Sequence, residues 1–450
     1  VNFILSQRAL ALAVKSALMV GTLAYAGSAS SVTLMQAYEA ALSNDPTYRS
    51  AAQESAAGKE YVNLGRSNLL PQISGSYSSS KIRADLTQPI AGIPYTTHPV
   101  YYSRNATAQV RQTLFNLDAY ARYKQGVAQT NYSNEVFDLR TQEMLLRVTS
   151  AYIDVLFTTE QVELSTSQRD TLLEQKKVND RMFEKGEGTR TDMLETQSKL
   201  DLAEAQLLES LDNQQNVRAT LSTLIGGEVG DVDQLRPDFR IAPLPEGGFE
   251  TLKKSVMDEN PDIKSQMYAI DIAKQEVNKA RAGHAPRVDL VASYTKSTAD
   301  TLNTYTQDST QRAIGIQVNI PLYSGGAVNA QSRQAVANLE KAKADLQVKL
   351  DKIELDLRKS YLSVVSSTAK ISALNKAVES AQMLVLATEQ SIKGGVRINL
   401  DLLNAKQQLY TSQRDLAQAR YTYLLNRLKV RAAAGTLGRE DLVELTSYFR

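Results

Sequence analysis

The sequence predicts a mainly α-helical, tandemly duplicated chain whose few strands have the pattern of a transmembrane β-barrel. Three observations predict it: landmarks that recur in one order, segments of about ten residues that alternate apolar and polar, and long stretches without proline. The 450 residues contain only 11 Pro and 22 Gly, and the formal net charge is +2. That balance excludes a strongly basic nucleic-acid binder and an acidic tail protein. The absence of Cys removes disulfides, thiolate metal sites and a Cys nucleophile. Two isolated His, His98 and His284, leave little for imidazole acid–base chemistry or zinc. No nucleophile–base pair, metal cluster or nucleotide motif remains, so neither an enzyme nor a cofactor is predicted.

Residues 1–29 read as a secretory signal. Arg8 and Lys15 supply the charge, Ser16 to Ala26 is an apolar segment too short to span a bilayer, and small residues follow to Ala29. A short buried helix is the alternative. Beyond Ala29 no run of 18 apolar residues occurs, so no transmembrane helix is predicted.

The first repeat is read as 30–226 and the second as 249–435, joined by a Gly/Pro-rich linker at 227–248 and followed by a tail at 436–450. The landmarks carry that division. NDPTYRS recurs as ENPDIKS, Pro71 as Pro286 at an offset of 215, and Leu114 as Leu322 at 208. Tyr152 recurs as Tyr361, Gly186 as Gly395, Asp192 as Asp401 and Gly226 as Gly435, all at 209. Each repeat should begin with a short helix, Val32 to Gly65 and then Phe249 to Ala282, with Asp45-Pro46 and Asn260-Pro261 as turn or helix-boundary signals.

Strands are expected at about 72–83, 100–114, 287–299 and 311–322. In the last, Ile314, Ile316, Val318 and Ile320 alternate with Gly315, Gln317 and Asn319; in the third, Val288, Leu290, Ala292 and Tyr294 alternate with Asp289, Val291 and Ser293. The first two are weaker, with Ile73, Gly75 and Tyr77 on one face and Ala106, Ala108 and Val110 on another. This is the length and pattern of an outer-membrane strand, and Tyr77, Tyr95, Tyr101, Tyr102, Tyr294 and Tyr305 would supply an aromatic girdle. A small soluble sheet is the alternative. Four strands cannot close a barrel, so spanning a membrane would require several copies.

Long helices are expected at about 118–185 and 192–225, then 327–393 and 400–434. From Asp118 to Lys185 there is no Pro, and Gly126 is the one glycine; such a helix would reach roughly 100 Å. Leu402, Leu409, Leu416, Tyr423 and Val430 are spaced by seven, with Leu403, Tyr410, Ala417 and Leu424 in a second column. Met193, Leu200, Leu207 and Leu221 fall in the corresponding column of the first repeat. Two seams suit a helix packed on both sides, with Ala203, Ala205, Ala417 and Ala419 allowing close approach.

LMQAYEAALSNDPTYRSAA with LLPQISGSYS near the start, and LYTSQRDLAQARYTYLLNRLKVRAAAGTLGREDL at the end, resemble the TolC family of outer-membrane export channels. The resemblance covers essentially the whole chain after the signal. It implies a homotrimer in the outer membrane of a Gram-negative cell, each chain giving four strands to a twelve-stranded barrel. It also implies a long periplasmic α-helical tunnel, a mixed equatorial region, and no nucleic-acid partner. A periplasmic adaptor (membrane fusion protein) and an inner-membrane transporter, ABC-type or proton-driven, would dock at the far end. Type I protein secretion is the favoured function, with multidrug or small-molecule efflux as the alternative; a periplasmic coiled-coil adaptor would lack the duplicated strands.

The gate is expected at the tips where the helices turn back, 185–192 and 394–401, with Gly186, Gly188, Gly394 and Gly395 making the turns. Carried over from the resemblance, Thr191 and Asp192 sit on one tip and Ile392 and Arg397 on the other, while Asp401 and Asn404 take the places of a cation-selective pore ring. Two departures stand out: Ile392 replaces a tyrosine that would bond Asp192, and Asn404 replaces a second carboxylate. The gate would then rest mainly on Arg397, with Asp401 as cation filter. The plainer alternatives are that Asp192 and Asp401 are helix N-caps and that Arg397 is a solvated charge.

Overall fold

The computed structural model describes residues 32–241, 248–299 and 307–450. The signal segment, part of the linker and Tyr305 lie outside them. Helices α1 (Leu34–Asn44), α2 (Pro46–Gly58) and α3 (Tyr61–Ser67) lead to β1 (Gln72–Arg83), a small hairpin of β2 (Leu86–Ile90) and β3 (Ile93–Thr97), and β4 (Val100–Phe115). Then come α4 (Leu117–Glu184) and α5 (Arg190–Ile225). The second repeat runs α6 (Gly248–Glu259), α7 (Pro261–Arg281), β5 (Arg287–Ala299), β6 (Gln307–Asn319), α8 (Ala327–Lys393) and α9 (Asn399–Ala434), and a short α10 (Arg439–Thr446) ends the chain.

Two expectations are corrected, and one element is added. The single opening helix of each repeat is broken, because Asp45 and Asn260 cap a new helix whose first residue is proline. The strand placed at 311–322 lies at Gln307–Asn319: Pro321 offers no N–H to a ladder, and the pattern continued past the last paired residue. The β2–β3 hairpin, turned at Ala91-Gly92, was not foreseen.

The main sheet has the order β1-β4-β5-β6, antiparallel throughout. Its register puts Ile73, Val110, Ala292 and Ile314 in one row across the four strands. The apolar sets of all four strands therefore share one face. The opposite face carries Thr107, Thr295 and Gln311 in a row, with a Thr107–Thr295 hydroxyl contact of 3.2 Å. An apolar face opposed to a polar one is the alternation of a barrel wall between lipid and water. The edges are β1 and β6, each with one side unpaired.

From this sheet the helices run away lengthwise. Asn116 follows β4 directly and caps α4, its side-chain oxygen accepting from the N–H groups of Asp118 and Ala119 at 3.0 and 3.2 Å. On the other repeat Gly325 and Gly326 take positive φ, +61° and +81°, to pass from strand to helix. With 68 residues in α4 and 67 in α8, the turn-back tips lie about 100 Å from the sheet. α4 packs on α5, α8 on α9, and α9 also meets α4. The two seven-residue columns of α9 are interior, with Leu402, Leu403, Tyr410, Leu416, Ala417, Tyr423, Leu424 and Val430 buried. Ala203, Ala417 and Ala419 are buried as expected, whereas Ala205 is exposed.

The main apolar core sits midway, where α1, α4, α5, α9 and the chain end meet around Leu34, Tyr152, Leu221, Leu424 and Leu442. The Tyr152 hydroxyl donates to the Val32 carbonyl at 3.0 Å, and its ring meets Phe449 edge-on at 6.1 Å. Bridges Val32–Val232 and Leu235–Phe449 bring the linker and tail into this layer. Arg427–Glu444 at 2.7 Å and Arg431–Asp441 at 3.4 Å strap α10 onto α9.

Candidate gate at the helix tips

The two tips share a backbone design. In the first, Gly186 (φ +77°) lets the chain leave α4, and the N–H groups of Glu187 and Gly188 both return to the Met182 carbonyl, at 2.8 and 3.1 Å. In the second, Gly395 (φ +71°) does the same, with the Gly394 N–H on the Gln390 carbonyl at 3.1 Å and that of Val396 on Ser391 at 2.9 Å. Gly188 is the repeat mate of Arg397, and Thr189 that of Ile398. These two differences give the tips different chemistry.

On the first tip Thr189 is the N-cap of α5 and Asp192 its N3 residue, forming a reciprocal capping box. The Asp192 N–H donates to the Thr189 hydroxyl at 3.1 Å, and the Asp192 carboxylate accepts from the Thr189 hydroxyl at 2.6 Å and its N–H at 3.2 Å. On the second tip Ile398 stands at the N-cap and gives no side-chain cap. Asp401, also at N3, is free of capping and faces Arg397 one turn back, Nη1 to Oδ2 3.8 Å. Neither aspartate is itself the N-cap. Thr191 and Asn404 are exposed, and Ile392 is half-buried. Within one chain the ion pair of Arg397 is with Asp401 on its own tip, not with Asp192 across the gap.

Polar groups that no sequence motif marks tie the helices together, both within the first pair and from it to α9. Asn179 on α4 and Thr196 on α5, 4% and 0% exposed, hydrogen bond at 2.7 Å. Asn399, the first residue of α9, reaches both helices of the first pair: Gln175 on α4 donates to its side-chain oxygen at 2.9 Å, and its own amide donates to Thr196 on α5 at 3.4 Å. Lys199 donates to Asn404 at 3.0 Å. Farther up, Gln168 bonds Gln407 at 2.7 Å, and Ser165 lies 3.2 Å from Ser210 and 3.0 Å from the Tyr410 hydroxyl. The available signal was a column of α4 at seven-residue spacing, Met144, Ala151, Thr158, Ser165, Leu172 and Asn179, all buried. Polar residues in such a column specify register at a cost in stability.

Midway along the helices Glu160 is partly buried beside Arg420 and hydrogen bonds Tyr421. Burial pushes the Glu160 carboxyl above its ordinary value, although Tyr421 and Arg420 pull the other way. Burial raises the Tyr421 phenol and lowers the Arg420 guanidinium. No group of three or more His, Cys, Asp or Glu among the described residues has the spacing to hold a metal ion.

The chain matches the family model described as "Outer membrane efflux protein" twice, at residues 37–227 and 252–436, one match for each repeat. It is 40% identical to the alkaline protease secretion protein AprF of Pseudomonas aeruginosa, over 92% of this chain and 87% of that protein. It is 34% identical to the proteases secretion protein PrtF of Dickeya chrysanthemi, over 94% and 92%. Among solved structures CusC, a transmembrane channel, superposes with a TM-score of 0.79 at 15% identity, over 90% of this chain and 92% of that one. The chain belongs to the outer membrane efflux protein family: it is an export channel of the outer membrane, and not an enzyme.

Proposed function

We propose that three copies of the chain close one twelve-stranded barrel and one helical tunnel, through which polypeptides leave the cell by type I secretion. A periplasmic adaptor and an ATP-driven inner-membrane transporter would engage the tips. The observation that carries the assembly is the four-stranded sheet, apolar on one face and unpaired at both edges, which hydrocarbon does not tolerate as a single copy. The cargo reading rests on the two relatives named for protease secretion.

At rest the tips narrow the tunnel. Arg397 would link neighbouring tips, giving up its long 3.8 Å contact with Asp401. The Asp401 carboxylates, released from capping, would ring the entrance and favour cations. Native mass after mild detergent extraction of outer membranes tests the assembly, with a heat-sensitive species near three chain masses expected. A monomer in the periplasmic fraction would overturn it. Deletion of the gene should abolish secretion of an extracellular protease; raised sensitivity to small toxic compounds with secretion intact would favour efflux instead.

A further inference from the structure

The two open edges of the sheet encode the register in which copies join, an inference that rests on the shared-barrel reading above. The β1–β4 and β5–β6 hairpins are repeat mates: Gln72 faces Arg111 in one and Arg287 faces Asn319 in the other. Those positions are displaced by 215 along the leading strand and by 208 along the return strand, the offsets that also relate Pro71 to Pro286 and Leu114 to Leu322. Between the hairpins the return strand β4 meets the leading strand β5, with Val110 opposite Ala292 and Arg111 opposite Val291. When a neighbouring copy closes the sheet, the return strand β6 meets the leading strand β1 of that copy, which is the same junction one repeat further on.

We propose that β6 joins β1 of the partner copy in the register of β4 on β5. Carrying Val110–Ala292 through the two offsets sets Val318 opposite Tyr77 of the partner copy. Gln317 then faces Ser78, and Ile316 faces Ser79. The faces agree, because Val318 lies on the side of Ile314 and Ile316, and Tyr77 on the side of Ile73, all in the apolar rows. A slip of one residue would mix the faces, so the competing registers are slips of two.

The strand ends supply an independent mark. β4 runs on past a bulge to Phe115, which faces Val288. The repeat mates of Leu114, Phe115 and Val288 are Leu322, Tyr323 and Ile73. Beyond Asn319, where the pairing to β5 ends, Leu322 and Tyr323 are 92% and 86% exposed, the highest values among the described large apolar residues. Ile73 on the other edge is 79% exposed. In the seam Pro321 falls beside the repeated bulge at Leu322, where a missing N–H is tolerated, and Tyr323 lies against Ile73 of the partner copy.

The chain has no cysteine, so paired cysteines read the register directly. The pairs Tyr77→Cys with Val318→Cys, and Ser78→Cys with Gln317→Cys, include one close, non-hydrogen-bonded position. Tyr77→Cys with Ile316→Cys and with Ile320→Cys are slipped by two and too far apart for a disulfide. After oxidation in outer membranes, denaturing gels should show covalently closed oligomers for at least one in-register pair, and chains uncoupled in both slipped pairs. Cross-linking confined to a slipped pair, or none at all in a protein whose native mass remains that of three chains, would overturn the register alone. A single-chain native mass would overturn the assembly on which it rests.

Discussion

Equivalent residues in the two repeats have been put to different uses, and the tip aspartates show it most directly. The Asp192 carboxylate closes the capping box by accepting from Thr189. Asp192→Ala should therefore lose those bonds while keeping the Thr189 cap, cost about 0.5–1 kcal/mol of local stability and leave ion selectivity nearly unchanged. Asp401 has no capping duty, so Asp401→Ala should lower cation preference and divalent block in planar bilayers without shifting the melting temperature. Equal effects of the two substitutions on selectivity would contradict this division. Glu160 tests burial. Because its folded value is raised, the folded state holds the proton more tightly than the unfolded chain. Its penalty is therefore full above the raised value and vanishes as pH falls toward the ordinary carboxylate range. Glu160→Gln should melt higher than wild type near pH 8, with the gap closing toward pH 5.

At the scale of elements, packing rather than propensity decides where glycine and polar residues belong. Gly126 lies inside α4 yet does not break it. A Cβ there would come within 2.3 Å of the Tyr61 carbonyl oxygen on α3, so backbone occupies the space a methyl would need. Gly126→Ala should destabilise by about 1–3 kcal/mol, outweighing its gain of about 1 kcal/mol in helix propensity, as a melt in detergent would show. The hydrogen-bonded rungs make a second case. Thr196→Val strands the buried Asn179 amide, at a cost of about 1–3 kcal/mol. Ser165→Ala and Tyr410→Phe share one bond, so the double variant should lose less than the two single losses together.

These same features mark what the sequence could convey. The long helices were legible because no proline interrupts them, and the apolar strand face because Ile314, Ile316 and Val318 alternate with small and polar residues. The end of β6 was not, since Ile320 and Leu322 prolong the pattern where Pro321 ends the pairing. At the tips the glycines marked the turns, but Thr189 and Ile398 decided which aspartate was free, a distinction of cap chemistry that periodicity does not carry. The rungs stayed hidden because Asn179, Thr196 and Ser165 look like surface residues until the α4 column is known to be buried.

For the whole molecule, the proposed three-fold closure would multiply each of these choices into a ring, and the ring it would form near the entrance gives the last prediction. Restoring a second carboxylate by Asn404→Asp would seem to double the charge that binds cations. Yet Asn404 accepts a hydrogen bond from the Lys199 ammonium at 3.0 Å, across from α5. An aspartate there would pair with Lys199 and be largely neutralised, and at an exposed site such a pair leaves little net field. Asn404→Asp alone should therefore tighten multivalent cation block only slightly. Asn404→Asp combined with Lys199→Gln should tighten it severalfold, in a manner that weakens with added salt. Bilayer conductance titrated with a divalent or trivalent cation separates the two variants. Strong block by the single variant would mean that Lys199 turns away once the tunnel closes, leaving the new carboxylates to face one another across the pore.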